Sequence, residues 1–240
     1  MIYVAPPIVE AIVQFVFAEP LPAAKMRKAV GRLKRFYPAT TDLLNVQAKI
    51  NVLSRSAEFE DSPQSKLASD DQADAFIIEP GMCLWTRLAP YQGWDEFIAR
   101  VKRDYEALLD VFGRRKLVRM GVRYINRFDI PAEVDGRIQY ESYLAVNIRV
   151  PQIYPAVLNY GWRFEHEIVA KDLLLILQSA TAEQVLPNTG AFLLDIDVIA
   201  GGTLPIKLDE IFAKLEEMRD VKNQAFETSI TDKAREAFGK

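Results

Sequence analysis

The sequence predicts an α+β fold with a ferredoxin-like first half, residues 1–130, and a second half, residues 131–240, made of an antiparallel sheet and a long C-terminal helix. Three observations lead to this prediction. Residues 118–128 alternate between apolar and polar side chains, residues 94–112 repeat apolar side chains at helical spacing, and the elements around them follow the order β-α-β-β-α-β. We expect the two halves to form one compact unit.

The first half is predicted to contain four strands and two helices. The strands cover residues 9–17, 47–58, 75–88 and 119–127. The third of them has a break near Pro80 and Gly81. The first helix covers residues 22–37 and begins at Pro22, two residues after Pro20. The second covers residues 94–112 and ends before Gly113. Residues 61–74 are rich in Ser, Asp and Gln, which favours a mobile loop.

The second half is predicted to contain strands over residues 154–169, 173–179 and 191–199, followed by an amphipathic helix over 208–226. Thr231 is suited to cap a final short helix that ends at Phe238. A long helix across a curved sheet can leave an apolar pocket, and Trp162 and Phe164 are the expected lining residues.

Composition limits the class of protein. Half of the 240 residues are hydrophobic, and the net charge of −3 argues against a general nucleic-acid binder. The charge is uneven: residues 1–127 hold 19 basic and 15 acidic side chains, and residues 128–240 hold 11 and 18. Opposite net charges in the two parts of the sequence suit two halves that attract each other, a dimer or an anionic partner of the basic half. One cysteine, Cys83, and the lack of a signal-like or membrane-spanning segment predict a cytoplasmic protein without a membrane partner.

Arg119, Arg123 and Arg127 recur every fourth residue, so they share the polar face of the predicted strand and stand about 13 Å apart. Strand neighbours with polar faces supply Arg163 and four acids, which are Glu165, Glu167, Asp195 and Asp197. Cross-strand ion pairs or an anion-binding cleft would both satisfy the arginines. We predict that at least one of the four acids pairs with Arg123.

Asp195 and Asp197 also allow a metal-site alternative. Residues two apart on a strand project to one face, so both carboxylates could share Mg²⁺ or Mn²⁺, with Glu165 as a third ligand. The arginines nearby compete for these carboxylates, so we expect no metal, no cofactor and no catalytic residue. The only histidine, His166, is expected on the apolar face as a core or interface residue.

The first helix offers a basic stripe of Lys25, Lys28, Arg32 and Arg35, away from its predicted buried residues. Such a stripe can follow the phosphates of nucleic acid or a nucleotide. It can equally face acids of the second half or form a solvated surface.

Five segments together resemble a sporadically distributed prokaryotic family of hypothetical proteins of about this length. They are Pro6-Pro7-Ile8-Val9-Glu10-Ala11, Pro90-Tyr91-Gln92-Gly93-Trp94-Asp95-Glu96-Phe97, Gly121-Val122-Arg123-Tyr124-Ile125-Asn126-Arg127, Leu194-Asp195-Ile196-Asp197 and Phe226-Glu227-Thr228-Ser229-Ile230-Thr231. The resemblance implies no particular activity, and its patchy distribution suggests mobile, accessory or defence-linked genes.

The sequence therefore predicts a non-enzymatic binding or assembly protein of a prokaryotic accessory system, with a protein partner or a second copy of itself. The alternatives are binding of nucleic acid or nucleotide phosphate through the basic stripe and the Arg strand, and a metal-dependent hydrolase built on Asp195 and Asp197.

Overall fold

The computed structural model describes residues 3–51, 56–133, 138–146 and 159–239, with side chains described outside 44–62. These residues form one nine-stranded sheet and four α-helices. The strands are β1 (Ile8–Phe17), β2 (Ala39–Asn51), β3 (Ser56–Ala68), β4 (Asp74–Glu79), β5 (Met82–Leu88), β6 (Leu117–Pro131), β7 (Gly161–Ile168), β8 (Leu173–Ala182) and β9 (Thr189–Ala200). The helices are α1 (Ala23–Leu33), α2 (Trp94–Phe112), α3 (Leu208–Ser229) and α4 (Asp232–Ala237).

The strands follow the order β2-β3-β4-β5-β1-β6-β9-β8-β7, and every neighbouring pair is antiparallel. Since β5 and β6 both pair with β1, they run in the same direction, and α2 joins them across β1 as a split β-α-β unit. The sheet spans both predicted halves, because β6 pairs with β9 along twelve residues.

The predicted ferredoxin-like arrangement of the first half is not found. Four strands, not two, separate α1 from α2, and β2 lies at the sheet edge with three strands between it and β1. The prediction failed because residues 61–68, expected in a loop, belong to β3, and only 69–73 form the turn to β4. A strand near the sheet edge can carry a polar sequence because cross-strand pairing, here with β2 along its length and with β4 over 65–68, supplies its stability.

Several element boundaries are confirmed. Helix α2 begins and ends as predicted, and Gly113 adopts a φ of 69° immediately after it. The hydroxyl of Thr231 accepts a hydrogen bond from the Ala234 N–H at the start of α4, as expected for a cap.

Two other boundaries differ from the prediction. Helix α1 ends at Leu33 and not at residue 37, so Arg35 lies beyond it. Strand β7 begins at Gly161, and residues 154–158 of the predicted strand lie outside the described residues.

Helices α1, α2 and α3 all cover the same face of the sheet. Met120, Val122 and Tyr124 of β6 are buried on this face beneath the helices. Two apolar clusters result, a large one under all three helices and a smaller one under the end of α3 and α4. None of the described helices has the length and apolar character needed to cross a membrane.

A buried carboxylate joins α2 to β5 and to the turn after α1. Asp104 is fully buried, and accepts hydrogen bonds from the Tyr37 hydroxyl, from Trp85 Nε1 at 3.2 Å and from Arg103 at 2.7 and 2.9 Å. Burial raises the pKa of Asp104, while Tyr37 and Arg103 oppose the increase. A buried acid with this many donors stabilises the fold only while its acceptor atoms remain.

We therefore expect Asp104→Asn to lower the free energy of unfolding by about 1–3 kcal/mol, since an amide NH₂ would face donors that then lose an acceptor. The control is Asp110→Asn on the same helix, because the Asp110 carboxylate is 67% exposed in its pair with Arg32 and should contribute less than about 0.5 kcal/mol. Urea denaturation measures both variants. Equal effects would contradict this role of Asp104.

Candidate functional site

A cleft of about 670 Å³ lies on the helix-covered face of the sheet, between the N-terminal segment, the start of α2 and the C-terminal half of α3. Its volume falls within the range of small-molecule sites. Many of its lining residues are aromatic or apolar: Tyr3, Val4, Pro6, Pro7, Ile8, Tyr91, Trp94, Tyr124 and Phe226. Its polar lining residues include Asn126, Arg219, Lys222 and Glu227.

Lys222 is the buried cation of this cleft. Its side chain is 9% exposed, the Nζ atom donates to Asn223 Oδ1 at 2.5 Å, and it lies 3.9 Å from the centroid of the Tyr124 ring. Within the described part of the chain no carboxylate forms an ion pair with it. Burial, followed by the nearby charge of Arg219, lowers the pKa of Lys222 from 10.5 to about 8. Burying an ammonium group without an opposite charge is costly, so its position calls for a functional explanation.

Two tyrosines and an asparagine extend the polar floor. The hydroxyl oxygens of Tyr91 and Tyr124 are 2.6 Å apart, and burial raises the pKa of Tyr91 to about 12 and that of Tyr124 well above its usual value. Both therefore remain protonated at neutral pH. Asn126 is 2% exposed and donates from Nδ2 to the Leu194 carbonyl at 3.0 Å.

The other buried or half-buried charges at this cleft already have partners. Trp94 Nε1 and Arg219 both donate to Glu216, at 2.6 and 3.3 Å. Glu227 accepts from the Tyr3 hydroxyl at 2.9 Å and from Arg235 at 3.3 Å. Asp95 and Glu96 are exposed on the first turn of α2, where they complement the helix dipole. Lys222 is thus the charge that a bound molecule could neutralise.

Sequence analysis missed this site, although two signals were present. Asn126 falls on the buried face of β6, where a polar side chain breaks the pattern. Lys222 lies four residues after Met218, so it continues the buried stripe of α3. The pocket predicted in the second half is a different one, because Trp162 and Phe164 do not line this cleft. They lie on the edge strand β7, where Phe164 is 40% exposed.

The predicted arginines lie on the opposite, helix-free face of the sheet. Arg123 donates to Asp195 at 2.5–3.1 Å, which confirms the predicted pairing, and Arg119 reaches Asp197 at 3.4 Å. Hydrogen bonding to Asp195 raises the pKa of Arg123. Arg127 donates to Asp129 and to the Glu183 carbonyl, both at 2.8 Å. A role of these arginines in binding an anion or partner stays a prediction.

The carboxylates of the metal-site alternative do not converge. Asp195 is occupied by Arg123 and by Gln178, whose Nε2 lies 2.5 Å away. Glu165 pairs with Arg163 at 2.8 Å and lies two strands from Asp197, about 9.6 Å at the usual strand spacing. Burial raises the pKa of Asp197. No group of three or more potential metal ligands occurs among the described residues.

The basic stripe is largely solvent-exposed. Lys28, Arg32 and Arg35 are exposed and Lys25 is half-buried. Arg32 pairs with Asp110 at 2.8 Å, and the guanidinium of Arg35 lies 4.5 Å from the Phe36 ring centroid. Helix α1 covers the face of the sheet opposite to Arg119 and Arg123, so the structure does not join the two basic sets into one surface.

The single histidine and the single cysteine of the sequence lie in different environments. His166 was expected in the core or an interface, but it is exposed on β7, so the core assignment is wrong. The physical reason is that β7 is the edge strand and no helix of the described residues covers it. Cys83 is buried, and burial raises the pKa of its thiol.

No model of a known protein family matches this chain, and a search of curated proteins finds no match. The family resemblance therefore stays a prediction.

We expect Lys222→Met to raise the free energy of unfolding by about 1–3 kcal/mol at pH 7, because it removes a buried charge without a carboxylate partner. The pKa of Lys222 is lower in the folded protein, about 8, than its usual value of 10.5 in an unfolded chain. The folded state therefore binds fewer protons between these values, and the stability of the native protein rises across that window. The advantage of the variant is complete below pH 8 and disappears near pH 10.5.

Urea denaturation at pH 7 and pH 10 measures the difference. The matched control is Lys214→Met on the same helix, which removes an ion pair with Glu217 and should not stabilise the protein. A Lys222→Met variant less stable than the native protein at pH 7 would show that this amine stabilises the empty fold.

Proposed function

We propose that this protein binds a small molecule with an apolar body and an anionic head, and that the cleft between α2 and α3 is the binding site. The observation that carries the proposal is the amine of Lys222, which is buried in a cleft of about 670 Å³ without an ion-pair partner among the described residues. A carboxylate, sulfonate or phosphate in the cleft would supply that partner.

The charge distribution supports an anion rather than a cation as the head group. The acids Glu216 and Glu227 already accept hydrogen bonds from Arg219, Arg235, Trp94 and Tyr3. Asp95 and Glu96 are exposed to solvent, where water weakens their interaction with a ligand inside the cleft. The unbalanced charge at the floor is therefore positive.

The walls support an apolar, planar body. Tyr91, Trp94, Tyr124 and Phe226 contribute aromatic surface, while the Pro6-Pro7 pair closes another side. Ligand sites generally combine such surfaces with a few polar groups that fix orientation. Asn126, the Tyr91 hydroxyl and Lys222 are the groups available for this purpose.

The proposal makes the protein a binding protein rather than an enzyme. In keeping with the sequence resemblance and the composition, we place it in the cytoplasm, in a prokaryotic accessory system, where a protein partner or a second copy completes its action.

The test uses 2-naphthoate and its neutral analogue 2-naphthalenemethanol with the full chain at pH 7. Isothermal titration calorimetry should show saturable binding of 2-naphthoate, and Lys222→Met should weaken it by about tenfold or more, since a charge-assisted hydrogen bond contributes about 1.5–3 kcal/mol. Lys214→Met should leave affinity unchanged, because Lys214 binds Glu217 and the Lys171 carbonyl instead.

The neutral analogue should bind native protein and Lys222→Met with similar, weaker affinity. The proposal would be contradicted by the absence of saturable 2-naphthoate binding, or by equal affinities of 2-naphthoate for the native protein and for Lys222→Met.

Nucleic-acid binding by α1 is a second candidate. The observation that favours it is that, among the six cations from Lys25 to Arg35, only Arg32 forms an ion pair with a described acid. We expect Lys28→Ala with Arg35→Ala to weaken binding of a DNA duplex and to reduce the slope of log affinity against log salt by about 0.9 for each lost phosphate contact. Lys207→Ala with Lys233→Ala is the control for total charge. No gel shift of native protein at low salt would remove this candidate.

A further inference from the structure

We propose that Lys222 captures ligands that carry an aldehyde or ketone group by forming an imine with them inside the cleft. This inference rests on the proposed function, because it uses the same binding site, and it adds a covalent step. It names the substrate class as carbonyl compounds with an apolar body.

The position of Lys222 separates it from the other lysines. It is the one lysine that is buried among the described side chains, and it faces a cleft large enough for a ligand. Lys214, one of its neighbours on α3, is held by Glu217 at 2.8 Å and by the Lys171 carbonyl at 2.7 Å. An amine attacks a carbonyl only when it is neutral and unshielded, and a carboxylate partner would prevent both.

Two features of the cleft favour the neutral amine. The first is removal of the amine from water, and the second is Arg219, which lies three residues earlier on the same helix; the charge of Glu227 opposes them with a smaller effect. Both destabilise an ammonium ion, which is how desolvated lysines become nucleophiles. With a pKa near 8 instead of 10.5, about a tenth of Lys222 is neutral at pH 7, against about three in ten thousand for an ordinary lysine.

The cleft also provides for the rest of the reaction. The Lys222 nitrogen attacks the carbonyl carbon, and the resulting carbinolamine loses its oxygen as water when that oxygen is protonated, leaving a C=N bond. Tyr91 and Tyr124 are protonated hydroxyls of the same cleft; one donates to the other, and the accepting hydroxyl keeps an O–H that can donate to the departing oxygen. The aromatic walls limit the access of water that would hydrolyse the imine.

The test traps the imine of 2-naphthaldehyde with sodium cyanoborohydride, which delivers hydride to the imine carbon while water supplies the proton to nitrogen. Intact mass and peptide mapping after limiting aldehyde at pH 7 should find the naphthylmethyl group on Lys222, at a rate about tenfold or more above Lys28 and Lys214. Labelling should increase with pH and reach half its maximum near pH 8. Prior addition of 2-naphthoate should slow it.

Two variants separate imine formation from anion binding. Lys222→Arg retains the positive charge but cannot form an imine, so it should lose the adduct, while its affinity for 2-naphthoate should exceed that of Lys222→Met. Lys214→Arg should label at the native rate. Labelling of Lys222 no faster than that of Lys28 overturns the imine.

The two proposals also fail in distinguishable ways. Naphthoate binding that requires Lys222 without selective labelling leaves the proposed function standing and removes the imine. Selective labelling without naphthoate binding removes the anionic head group and keeps the reactive amine.

Discussion

The pairing of β6 between β1 and β9 is the constraint on which the rest of the structure depends. Its register places Val122 between Val13 and Val198, and Arg123 between Ile12 and Asp197. A shift by one residue would exchange the two faces, moving guanidinium groups under the helices and apolar side chains into water. The same register sets Tyr124 and Asn126 at the floor of the cleft.

That division gives each face a different chemical character. The helix-covered face holds the apolar core and the cleft, in which the amine of Lys222 forms no ion pair with a described carboxylate. On the helix-free face, the strong charges of β6 and β9 satisfy each other across the strands, with Arg123 on Asp195 and Arg119 on Asp197. These pairs join the basic first half of the sequence to the acidic second half, so part of the charge asymmetry is used inside one sheet. The acids of these pairs are largely buried, and their contacts with arginine leave them poorly suited to hold a cation.

The cleft depends on packing between distant parts of the chain. Tyr3 donates to Glu227, and the Ala5 N–H donates to the Phe238 carbonyl at 3.1 Å, so the N-terminal segment is held against α3 and the end of α4. Trp94 at the start of α2 is tied to Glu216 of α3. These contacts fix the positions of three segments that line the cleft.

The sequence by itself determined the local elements, because periodicity and caps are properties of neighbouring residues. The bounds of α2, the two faces of β6 and the cap at Thr231 could all be read from it, as could the pairing of Arg123 with an acid. Tertiary structure alone decided the sheet order and the cleft. Residues such as Pro63 and Gln64 show no strand pattern of their own, and they belong to β3 through pairing with β2. Tyr3, Tyr91, Asn126 and Lys222 form one site only because antiparallel pairing and helix packing bring together positions more than two hundred residues apart. No local sequence pattern predicts this assembly of distant residues, because the packing that stabilises it involves surfaces that exist only once the sheet has formed.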